Sequence, residues 1–143
     1  MKRIALAFAL AALTGCGKEV GRVLFVSDAT ADATMTLKAG QVDFWTDIDI
    51  AYRGNAALAY QITLEQGGKT VATATCDPLG PINVKTMWTE TNIGSDHTRH
   101  GNGKMACGVS LPSGGATKVN VTLAWATKPS TVTLKRADLV VKQ

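Results

Sequence analysis

The sequence predicts an all-β domain, an antiparallel two-sheet β-sandwich of jelly-roll-like topology with about eight or nine strands. Three observations predict it. Threonine, valine and alanine recur with period two along most of the chain, the mark of strands with one wet face and one dry face. Residues that favour turns punctuate those runs at short intervals. Beyond the N-terminal run, no segment carries helical periodicity.

The elements follow in order. Arg22–Val26 and Thr34–Lys38 are short β-branched or apolar runs, the second closed by Ala39-Gly40. In Asp43–Tyr52, the residues Phe44, Thr46, Ile48, Ile50 and Tyr52 share one side, and Asp43, Trp45, Asp47, Asp49 and Ala51 the other. Arg53-Gly54-Asn55 ends that strand. Ala57–Gln66 puts Leu58, Tyr60, Ile62 and Leu64 on one face, with Gln61, Thr63 and Glu65 opposite, before a turn at Gln66-Gly67-Gly68. Thr70–Cys76 runs into Asp77-Pro78-Leu79-Gly80-Pro81. Asn83–Thr91 follows, with Trp88 in phase with Val84 and so assigned to the core. The Gly-, Asn- and Ser-rich stretch 91–104 reads as a solvated loop that includes Gly101-Asn102-Gly103. Lys104–Leu111 ends at Pro112-Ser113-Gly114-Gly115, and Lys118–Thr127 carries a clean apolar face of Val119, Val121, Leu123 and Trp125. In Thr131–Val141 the apolar phase of Val132 and Leu134 reverses at Leu139 and Val141, which predicts a β-bulge.

The N-terminus is of another kind. Lys2 and Arg3 precede an unbroken apolar run, Ile4 to Leu13, which is too short for the roughly 20 residues of a membrane span. A positive start, a short apolar core and a small-residue exit make a secretory signal peptide over residues 1–15. The run ends in Leu13-Thr14-Gly15-Cys16. This LTGC resembles the lipobox of bacterial lipoproteins, and the resemblance covers the signal peptide alone. It implies that the Cys16 thiol receives a diacylglyceryl group and that the chain is cut before Cys16. It implies membrane lipid as a partner and a location at the cell membrane or outer membrane, facing the periplasm or exterior. Gly17, in place of the Asp that favours inner-membrane retention in that family, leans toward the outer membrane. Two or three acyl chains give stable anchoring without a span. Residues 16–21 then read as the lipidated cysteine and a short tether, and 22–143 as the sandwich domain.

Composition narrows function. The chain has Lys+Arg 15 and Asp+Glu 11. Without Lys2 and Arg3 the balance is 13 against 11, a net charge of +2, with no basic cluster, so nucleic acid is not an expected partner. With Cys16 acylated, Cys76 and Cys107 are the two remaining cysteines. In an exported chain such a pair reads as a disulfide worth about 3–4 kcal/mol. The glycines form no nucleotide-binding pattern, and Ser27, Ser95, Ser110, Ser113 and Ser130 lie in no G-x-S-x-G context. No catalytic residue and no required cofactor is assigned.

Two clusters remain as candidates. Trp45 falls among Asp43, Asp47 and Asp49, so Trp45, Asp47 and Asp49 suggest a sugar-stacking ring with carboxylate acceptors, or oxygen ligands for Ca²⁺. The plainer reading is a half-covered Trp among solvated acids. Asp96, His97 and His100 offer an H-x-x-H pair with a carboxylate for Zn²⁺, without an evident third His or Cys ligand. The plainer reading there is a connecting loop or a contact surface for a partner. The sequence therefore reads as an anchored, non-catalytic binding or accessory module at the cell envelope, with a protein or glycan partner. A carbohydrate- or Ca-binding sandwich is the first alternative, and a metal-assisted hydrolase the second.

Overall fold

The computed structural model describes residues 17–25 and 29–143. The signal peptide, the lipobox with Cys16, and Val26 and Ser27 lie outside the described residues. Nine strands form: β1 Glu19–Val23, β2 Thr30–Leu37, β3 Gly40–Arg53, β4 Ala57–Gln66, β5 Lys69–Cys76, β6 Lys85–Ile93, β7 Asp96–Leu111, β8 Gly115–Thr127 and β9 Thr131–Lys142. They make a five-stranded sheet, β1-β9-β3-β7-β6, and a four-stranded sheet, β2-β8-β4-β5, with every pairing antiparallel.

The pairing explains the topology. β1 pairs with β9, β2 with β8, β3 with β7 and β4 with β5. The chain thus folds back on itself as one long hairpin. Rolling it up adds the β3–β9 and β4–β8 pairs. That is a jelly-roll arrangement, with β6 added outside β7.

Alternation fills the space between the sheets. Phe44, Leu58, Tyr60, Ile62, Leu64, Val119, Val121, Leu123, Leu139 and Val141 all point inward and are buried. Trp88 and Trp125 pack against this core from its margin, partly exposed. Thr46 is the polar member of the β3 inner row, and the core satisfies it. Its Oγ1 lies 2.9 Å from the Tyr60 hydroxyl, which donates to the Asp138 carbonyl at 3.3 Å. Burial pushes the Tyr60 phenol well above its ordinary range, so it stays a donor at any physiological pH.

The Cys76–Cys107 disulfide is formed, with Cα atoms 5.6 Å apart, and it joins β5 of one sheet to β7 of the other. The bulge expected in the last strand is present: Asp49 pairs with Arg136 and Ile50 with Leu134, so Lys135 is the extra residue.

Two expectations need correction. The tether read at residues 16–21 is not a tether over its described part. β1 begins at Glu19, and Lys18 and Gln143 exchange backbone hydrogen bonds at 2.9 and 3.1 Å, so strand pairing already begins at Lys18. The loop read at 91–104 is a β-hairpin whose turn is only Gly94-Ser95. Gly101 and Gly103 belong to β7 and are there for close approach. A Cβ on Gly101 would lie 2.3 Å from the Met87 carbonyl oxygen, and one on Gly103 would lie 2.5 Å from Ile82 Cγ2. Met87 itself sits at φ 51°, in an irregularity of the outermost strand β6.

Candidate functional site

The acidic face of β3 lies on the outside of the five-stranded sheet, flanked by β9 and β7. Register sets its neighbours: Trp45 stands between Val140 and Lys104, Asp47 between Asp138 and Asn102, and Asp49 between Arg136 and His100. The sequence places these residues on one face, and the structure keeps them there. Their environment is unlike the expected one. Trp45 is only 2% exposed. The Lys142 ammonium sits 3.6 Å above its ring centroid, and Lys104 bridges to Asp43 at 3.3 Å beside it. Lys142 thus occupies the place over the ring that a stacked sugar would take.

Asp47 is also engaged. Arg136 Nε donates to one carboxylate oxygen at 2.9 Å, and Arg22 donates from its Nη1 to the other at 3.1 Å. Asp47 and Asp138 stand directly opposite each other, a pairing of like charges that would destabilise the sheet alone. Arg22 spans both, reaching Asp138 at 3.4 Å and Glu19 at 2.6 Å. The hydrogen bond to Glu19, with Asp47 adding to it, holds the Arg22 guanidinium above its ordinary range, and the same Arg22 contact holds the Glu19 carboxyl below its own. Burial, with the Asp47 charge adding to it, raises the Asp138 carboxyl. Asp49 faces His100 at 3.5 Å. The group is a cross-strand ion lattice sealing a tryptophan, and its carboxylates are spent on cations of the same chain.

The second cluster does not assemble. His97 pairs with Tyr52 and His100 with Asp49, and three residues apart on a strand the two rings leave from opposite faces. His97 stacks on Tyr52 with centroids 5.0 Å apart, and its Nδ1 lies 2.7 Å from Asn92 Oδ1. Asp96 accepts from Arg53 at 2.9 Å. Among the described residues, no three His, Cys, Asp or Glu side chains converge as a metal site. The residues read as a zinc set, Asp96, His97 and His100, are therefore not brought together, whereas Asp47 and Asp49 share a face with their carboxylates turned to Arg22, Arg136 and His100. A shallow groove of about 310 Å³ lies at this end of β3, β7 and β9, floored by Ala51, Thr98 and Thr133 and edged by the Arg53–Asp96 pair.

Four functional-looking cations escaped the sequence reading: Arg22, Arg99, Arg136 and Lys142. Arg99 is nearly buried and ties the β5–β6 connection down. It donates to the carbonyls of Pro78 and Gly80 at 3.1 and 2.8 Å and to Glu90 at 3.1 Å. Burial alone would raise the Glu90 carboxyl, but hydrogen bonds from Trp88 and Arg99 bring it below the usual range. Only Arg136 carried a signal in the sequence, its place beside the bulge. The others needed strand order to find their partners.

Comparison of the chain with protein-family profiles, curated proteins and solved structures found no match.

Proposed function

We propose that the protein is a lipid-anchored exported lipoprotein that acts by binding, as a non-catalytic accessory module at the cell envelope. The observation that carries the reading is LTGC at the exit of a ten-residue apolar run behind Lys2 and Arg3. The Cys76–Cys107 disulfide supports it, because such bonds persist in the oxidising compartments to which exported chains go. The jelly roll supports the binding half of the reading, since double-sheet rolls serve lectin and capsid domains, although a fold by itself names no ligand.

Metabolic labelling with an alkyne analogue of palmitate tests the anchor. The wild-type chain takes up label and fractionates with membranes, and Cys16→Ser abolishes both. Label retained in Cys16→Ser would remove the reading. The glycan reading of Trp45 has a direct check as well. With the ring capped by Lys142, Trp45→Phe should leave any glycan binding unchanged.

A further inference from the structure

The loops at one end of the sandwich are stitched to the start of β1. Gln143 pairs with Lys18 through the backbone, and its side chain accepts from Lys38 N at 2.7 Å and donates to Lys38 O at 2.8 Å. Leu37 pairs with Gly115 and Gly40 with Leu111, so the β2–β3 and β7–β8 connections lie side by side. Gln66 Nε2 donates to the Ser113 carbonyl at 3.1 Å and brings in the β4–β5 hairpin, where Lys69 pairs with Gln66. Lys18, Lys38 and Lys69, from three separate segments, therefore occupy one end, and all three are exposed.

Two carboxylates lie near this end, one paired with an arginine and one across a strand from a lysine. Glu19 is held by Arg22 at two contacts of 2.6 and 3.0 Å, and Glu65 stands opposite Lys118. Among the described residues, Lys18, Lys38 and Lys69 enter no ion pair, whereas at the far end Arg53 is paired with Asp96. A chain advances at most about 3.6 Å per residue. Lys18 is thus within roughly 7 Å of Cys16 along the chain, inside the reach of a charged surface at ordinary ionic strength.

We infer that this end, bearing Lys18, Lys38 and Lys69, is a docking surface for the anionic headgroups of the membrane that holds the anchor, so that the sandwich stands on its loops with β6 and the Tyr52–His97 end directed away. The inference rests on the lipoprotein reading for its occupant. Charge complementarity favours an anionic occupant, and Cys16, the acylation site of that reading, stands two residues before Lys18 in the sequence. Each lysine close to such a surface strengthens attachment about fivefold, and three together about a hundredfold.

The test uses acylated protein recovered from its membrane and reconstituted into vesicles of phosphatidylcholine, alone or mixed with phosphatidylglycerol. A brief pulse of an amine-acylating reagent is followed by peptide mapping. Lys18, Lys38 and Lys69 should react several-fold more slowly on the anionic vesicles. Lys128, exposed at the other end, should react equally on both, and about 0.5 M salt should erase the difference. Equal reactivity of the three lysines on the two vesicles overturns the inference and leaves the anchor intact. If intact mass shows no acyl group, the anchor reading fails on its own. The same chain is then floated with phosphatidylglycerol vesicles. Salt-sensitive flotation would keep the basic surface, and no flotation would overturn it too.

Discussion

The inner and outer faces of β3 are both dry, for different reasons. Inside, Phe44, Thr46, Ile48 and Ile50 are buried, Phe44 in the apolar core between the sheets and Thr46 with its hydroxyl bonded to Tyr60. Outside, Trp45 is buried just as fully, yet its surroundings are Lys142, Lys104, Asp43 and Val140, and the acids around it are shielded by Arg22 and Arg136. One face excludes water with hydrocarbon. The other does so with the stems of long cationic side chains, whose heads neutralise a row of aspartates. Polar letters on alternate positions therefore do not make a wet face when the neighbouring strands supply opposite charges in register.

The sharpest way to break this comparison is to truncate one aromatic on each face. Phe44→Ala and Trp45→Ala should each cost about 3–5 kcal/mol in chemical denaturation. A cost for Trp45 below about 1 kcal/mol would show that the outer face is wet after all. Next in size is Asp47→Asn, which leaves Arg22 and Arg136 without their shared carboxylate. Both arginines are a third or more exposed, so screening limits the loss to about 1–2 kcal/mol, reduced further by salt.

Asp138→Asn acts in the opposite direction. The folded carboxyl has a raised pKa, so the folded state prefers the protonated form. The cost of ionising Asp138 is absent below the unfolded carboxylate range and fully present once pH has risen through the folded value. The variant should melt above the wild type at pH 7, and the gap should close as pH falls into the carboxylate range. A Tm below the wild type at pH 7 would mean that the Arg22 contact outweighs burial. The smallest effect belongs to Asp49→Asn. Its partner His100 is more than half exposed, and stability should move by less than about 0.5 kcal/mol.

Much of the fold was legible because it depends on local rules. Period-two runs gave Ala57–Gln66 to the residue, and the phase reversal between Leu134 and Leu139 announced the bulge at Lys135. What failed was what depends on a neighbour. Gly101-Asn102-Gly103 looks like a turn, but the glycines make room for Met87, Trp88 and Ile82 from β6 and the loop before it. His97 and His100 look like a ligand pair until strand geometry sends them to opposite faces. Trp45 looks like a binding aromatic until β9 places Lys142 over it, nearly 100 residues along the chain. The candidate clusters acquire unexpected partners for that common reason: strand order, which a period-two pattern does not contain, decides who faces whom.

The anchored sandwich is tested most directly by the intact mass of the protein recovered from its own membrane, measured with and without reduction. The account predicts residues 16–143 plus two or three acyl chains, with a gain of two hydrogens on reduction as the Cys76–Cys107 bond opens. A chain without acyl mass, or one that still carries Met1, would contradict the anchor and with it the proposed place of this protein at the envelope.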